Sequence, residues 1–291
     1  MSFSNYVLEE SDNGLAVVVT GPWTDEIGDV LVQRGANRLV LNYARGFSAA
    51  SLDFIKGWPI HELAVLDRTQ IDPSPILRLA NTLEVLSVQI APKAAALELG
   101  RLHILRSLAG PWRLFAPSIG GASALKSIVT WQYYDTDLSA LGSNRLLEDV
   151  TVKDAPKLLS LHGVAELQQL GTIRIELARN VSDIDQVHGL ARSLGVVGFT
   201  KCPSLQSLDA VSRLLNLRHI EFGDCGPIES LRPLASLRAL ESVYAWGNTR
   251  IVDGDLSPLL GLPLLTDLRM KDRPEYSPSL RDVRARIGGN G

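Results

Sequence analysis

The chain has 291 residues, is 45% hydrophobic but only 6% aromatic, and carries a net charge of -3 with two cysteines. A balance this close to neutral leaves no basic footprint for nucleic acid and no acidic tail, and two cysteines make no disulfide framework. The first ten residues lack the basic and apolar regions of a leader, and no apolar run reaches the ~18 residues a membrane span needs.

Taken from the N-terminus, residues 1–35 read as a β-hairpin cap. Tyr6 to Glu9 and Leu15 to Thr20 are β-prone runs separated by Ser11-Asp12-Asn13-Gly14, and Asn-Gly is a strong hairpin turn signal. Residues 36–124 read as degenerate repeats. Ala36-Leu39-Leu41, Ile60-Leu63-Val65 and Leu83-Leu86-Val88 share one spacing, followed by Leu105-Leu108-Gly110 in preference to Leu102-Leu105-Ser107. Pro111, Pro117 and Gly120-Gly121 predict an irregular loop, with a bend as one reading.

Residues 125–275 repeat regularly, every 22 to 25 residues. Leu147-Val150-Val152, Leu170-Ile173-Ile175, Leu194-Val197-Phe199, Leu217-Ile220-Phe222, Leu240-Val243-Ala245 and Leu265-Leu268-Met270 follow a weaker copy, Leu125-Ile128-Thr130. One such unit cannot bury its own apolar face, so the units must stack into a solenoid. The alternation within each unit predicts one strand. The second half changes to a period of three, as in Leu158, Leu161 and Val164 or Leu205, Leu208 and Val211, which suits 3₁₀ turns. Residues 276–291 are expected to close the stack, with a helix over Ser277 to Arg286.

The pattern L-x-x-L-x-L-x-x-(N/C/A)-x-x-L resembles the leucine-rich repeat family, in its short-repeat, internalin-like type. The resemblance implies an α/β repeat solenoid, a right-handed curved superhelix with a parallel β-sheet on the concave face and 3₁₀, short helical or irregular segments on the convex face. It also implies Asn at the ninth position of each unit, where its amide satisfies backbone groups between rungs. Here that position holds Tyr133, Ala155, Ala178, Cys202, Cys225, Asn248 and Arg273, so Asn248 alone could join an Asn ladder. Cys202 and Cys225 would stack ~4.8 Å apart. They read as two buried thiols, with a redox switch as the alternative.

No Walker loop, H-E-x-x-H, G-x-S-x-G or C-x-x-C occurs, and the five histidines fall at unrelated positions of different units. The expectation is therefore no enzyme, cofactor or metal. The resemblance points to protein binding on the concave face. Strand alternation turns the third, fifth and seventh residues of each unit outward. The candidate surface is Trp131, Lys153, Arg174, Glu176, His219, Glu221, Tyr244, Trp246, Arg269 and Lys271, rich in the residue types that dominate hot spots. Glu221 is expected to face solvent, so that its removal would be nearly neutral. Internalins are secreted and anchored. Neither signal is visible here, so the chain is expected to be a cytoplasmic, non-enzymatic interaction module, monomeric without its protein partner, of the kind that serves as inhibitor or immunity protein. The alternative is a substrate-recognition or regulatory subunit of an enzyme complex or effector.

Overall fold

The structure is a computed structural model that describes residues 4–91 and 94–288. It forms two compact units, Met1–Thr130 and Trp131–Gly291.

In the first unit β1 (Tyr6–Ser11) and β2 (Gly14–Val19) form an antiparallel hairpin. Gly14 sits at φ +109°, where a Cβ would be strained and would also strike the Asn37 side chain. Helix α1 (Asp25–Gln33) follows, a feature the sequence reading missed. Its apolar positions are few, and it buries only Ile27, Gly28 and Leu31. Asp25 and Glu26 favour its N-terminal dipole. Gly28 lets the Trp58 ring approach, since a Cβ there would lie 3.0 Å from Cζ2.

Strands β3 (Arg38–Asn42), β4 (Glu62–Leu66), β5 (Val85–Gln89) and β6 (Ser107–Pro111) then stack in parallel, β3 against β2. Leu39 and Leu41, Leu63 and Val65, and Leu86 and Val88 point into the core. The phase chosen for the next rung is the observed one. Leu105 and Leu108 are buried, and the space a side chain at Gly110 would need is filled by Phe115. The loop expected after it is instead two 3₁₀ turns, Trp112–Leu114 and Ile119–Gly121. Gly121 packs on Gly100, where a Cβ would come within 2.9 Å of the Gly100 Cα. The paired glycines mark close packing between rungs rather than irregularity. β7 (Ser127–Trp131) falls at the division between the units, and its buried Thr130 hydroxyl donates to the Gly110 carbonyl at 3.1 Å.

In the second unit β8 (Asp149–Lys153), β9 (Thr172–Glu176), β10 (Val196–Thr200), β11 (His219–Gly223), a short β12 (Pro227–Ile228), β13 (Ser242–Ala245), a short β14 (Arg250–Ile251) and β15 (Asp267–Met270) follow in order. β8, β9, β10, β11, β13 and β15 pair in parallel as neighbours, and β12 pairs with β14 on another side of the rungs. The period-three segments are 3₁₀ turns, among them Val164–Glu166, Asp185–Leu190 and Asp209–Arg213. A four-residue helix α2 (Ser257–Leu260) takes the corresponding place in the last unit. Helix α3 (Leu280–Gly288) begins later than Ser277. Ser279 caps it by accepting from the Asp282 amide at 3.2 Å. Its Arg284 donates to the Leu268 and Met270 carbonyls, covering part of the β15 edge.

The rungs of β7, β8, β9, β10, β11 and β13 turn after the strand through a left-handed residue in one fixed position: Gln132, Asp154, Leu177, Lys201, Asp224 and Gly247, with φ from 49° to 69°. The turn aims its own N–H at the next rung. Asp154 donates to the Glu176 carbonyl, Leu177 to Thr200, Lys201 to Gly223 and Asp224 to Trp246, at 2.9 to 3.1 Å. After the first five of these turns the next residue is buried. At Cys202 and Cys225 the thiol donates to the carbonyls of Ile175 and Phe199, at 3.6 and 3.4 Å.

Asn248 does not continue this ladder. It is exposed, and Thr249 takes the inner position. The Thr249 hydroxyl donates to the Phe222 carbonyl at 2.6 Å and accepts from the Cys225 amide at 3.0 Å. The unit beginning at Leu240 runs 25 residues to Leu265, and its longer connection shifts the inner position by one. A single hydroxyl supplies both the donor and the acceptor that an Asn amide would. Cys202 and Cys225 are free and buried, and contact with Cys202 together with burial pushes the Cys225 thiol up.

Candidate interaction surface

Parallel register sets the outer face of the second unit's sheet into columns. Thr172, Val196, His219, Ser242 and Asp267 lie side by side, and so do Arg174, Gly198, Glu221, Tyr244 and Arg269. A third column begins Lys153, Glu176, Thr200, Gly223. Eight of the ten candidate residues join two linked clusters.

The first cluster surrounds a shallow depression of about 330 Å³ lined by Arg174, Glu176, Gly198, Thr200, Glu221 and Trp246. The Trp246 ring lies across Gly223, where any Cβ would fall inside the indole. Its Nε1 donates to Glu221 Oε1 at 2.8 Å, and Thr200 Oγ1 donates to the same oxygen at 3.4 Å. Glu221 therefore does not stand free in solvent as expected. Its side chain is only 24% exposed because Trp246 folds back over it. Lys153 pairs with Glu176 at 3.2 Å.

The second cluster starts at His219, whose Nδ1 meets Ser242 Oγ at 2.6 Å and whose ring packs edge-on against Tyr244. Burial holds the His219 imidazole below its ordinary pKa, although Glu221, 3.9 Å away, pulls the other way. Tyr244 donates to Asp267 Oδ2 at 2.6 Å, a bond that raises the phenol. Arg269 grips both Asp267 oxygens and lies 4.5 Å above the Tyr244 ring. The Arg269 hydrogen bond, then that of Tyr244, lowers the Asp267 carboxyl.

Trp131, half-buried at the end of β7, and the exposed Lys271, one residue past β15, join neither cluster. The candidate set omitted Ser242, Thr200 and Asp267, though all three fall in outward columns. Their partners, His219, Glu221 and Tyr244, lie about a unit away in sequence, so only stacking reveals the pairs. Among the described residues no group of three or more His, Cys, Asp or Glu is placed to hold a metal, and no helix is long and apolar enough to cross a membrane.

Comparison with solved structures decides the fold. An internalin (inlF) from Listeria monocytogenes superposes with a TM-score of 0.50 at 18% identity, covering 87% of this chain and 86% of that one. The fold is that of the leucine-rich repeat. A structure described as a TDR receptor matches at a TM-score of 0.62 and 14% identity over 86% of this chain and 46% of its own. The functional domain of InlJ from Listeria monocytogenes, described as including a cysteine ladder, matches at 0.55 and 14% over 80% and 53%. The chain thus spans about half the length of those two. At such identities the likeness concerns the leucine-rich repeat fold alone. No family model and no curated protein sequence matches the chain.

Proposed function

We propose that the chain is a non-enzymatic interaction module that binds a protein on the outer face of the sheet in residues 131–291. One observation carries this reading. Two large aromatic side chains, Tyr244 and Trp246, are held on a solvent-facing sheet by hydrogen bonds to Asp267 and Glu221. Side chains already fixed lose little freedom on association, and Trp, Tyr and Arg supply most hot spots. The two buried free thiols suit a reducing compartment, which supports a cytoplasmic setting. An inhibitor or immunity protein is the role that suits a preformed surface of this kind.

The test begins with capture of the partner by the intact chain from its source cell. Replacing Tyr244 and Trp246 together by Ala should weaken that partner by at least ~30-fold, each tenfold being ~1.4 kcal/mol. Normal binding by the double variant, with binding abolished instead by substitutions in the hairpin or the 3₁₀ turns, would remove the outer face from consideration.

A further inference from the structure

The side-chain covering of this outer face has a gap, and its chemistry restricts what can enter. Gly198 and Gly223 both stand in outward columns. The space above Gly223 is taken by Trp246, whereas the atom nearest a Cβ at Gly198 would be the Arg174 stem, 3.3 Å away. Gly198 is itself buried beneath that stem, and the depression opens beside it, bordered by Arg174, Thr200 and Trp246. The depression has room for a side chain brought in by another surface.

The charges around it are unequally engaged. Glu176 is paired with Lys153, and Glu221 accepts from both Trp246 and Thr200. The Arg174 side chain makes no hydrogen bond or ion pair among the described residues, although it lines the same depression. A guanidinium offers a planar fork that matches a carboxylate in two parallel hydrogen bonds. Glu176 and Glu221 on the same rim would repel a dianion such as a phosphoryl group far more than a single carboxylate. The Trp246 ring borders the cavity and offers an apolar wall for a short aliphatic stem.

We infer that Arg174 is the specificity anchor of this face, and that it receives an Asp or Glu side chain of the protein partner in the depression between Arg174 and Trp246. The inference rests on the outer-face reading above. It is tested by panning a displayed library of random peptides against the intact chain.

Selected peptides should share an acidic residue and lose at least tenfold in affinity for the R174Q variant, whose melting profile should stay unchanged because Arg174 is exposed. The R174E variant should select Lys or Arg at the shared position. G198F, which crowds the Arg174 stem and narrows the depression while keeping the guanidinium charge, should abolish binding by the original peptides. Peptides blocked by G198F that lack an acidic residue, or that bind R174Q undiminished, would overturn the inference and leave the outer face as the binding surface. Peptides indifferent to both substitutions, or no selected peptide at all, would overturn both.

Discussion

Residues 1–130 and 131–291 solve one problem in two ways. Every rung must close after its strand and bury the residue that follows. In the second unit the closures after β7, β8, β9, β10, β11 and β13 share one left-handed turn, and the five non-glycine residues with positive φ among the described ones all lie there. The inner position behind it takes Tyr133 in the first of these rungs and then small residues, Ala155, Ala178, Cys202, Cys225 and Thr249, and the turn N–H reaches the next rung. Among its described residues the first unit has left-handed ones only at Gly14, Gly35 and Gly46. It fills its corners one by one with large rings: Trp58, Phe47, and Trp112 with Phe115. A shared solution leaves a period in the sequence. Individual solutions erase it, which is why residues 36–124 read as degenerate.

If corner rings hold the first unit, Trp112→Ala should be its most damaging change. Trp112 is fully buried, and such a truncation costs ~3–5 kcal/mol. Hydrogen exchange should show protection lost first in β3 to β6 and kept in β9 to β11. Uniform loss across both units would contradict the comparison. In the second unit Ile220→Ala should cost ~2–5 kcal/mol in denaturant titrations, with Glu221→Ala at ~1 kcal/mol because it strands the Trp246 N–H. Equal effects would mean the strand alternation is misassigned.

The ladder is sharpened by Thr249→Val, which keeps shape and removes the hydroxyl that serves Phe222 and Cys225. A loss of ~1–3 kcal/mol is expected for buried groups left unpaired, and a neutral result would show that the ladder adds no stability. Gly247→Ala should cost ~1–2 kcal/mol, since its φ of 69° is left-handed and the Cβ would meet the Asp224 carboxylate. The smallest effect is a gain. Lys201 is exposed at φ 56°, and Lys201→Gly should raise stability by ~0.5 kcal/mol, the relieved strain less the added chain entropy. A loss there would mean that the turn is not strained.

The sequence by itself determined the rung. Period-two alternation separates Ile220 from Glu221, period three marks the 3₁₀ turns, and the recurrence of Leu anchors requires stacking, because these signals are local and each unit repeats them. Only the tertiary structure decided what lies across rungs. That Thr249 replaces Asn248 depends on a one-residue lengthening felt against the neighbouring Cys225. That Trp246 covers Gly223 and buries Glu221 depends on a partner 25 residues away in sequence. That Arg174 is left unpaired depends on which neighbours Lys153, Thr200 and Trp246 have already engaged. These are competitions between side chains brought together by register, and a linear pattern of residue types carries no record of who wins them.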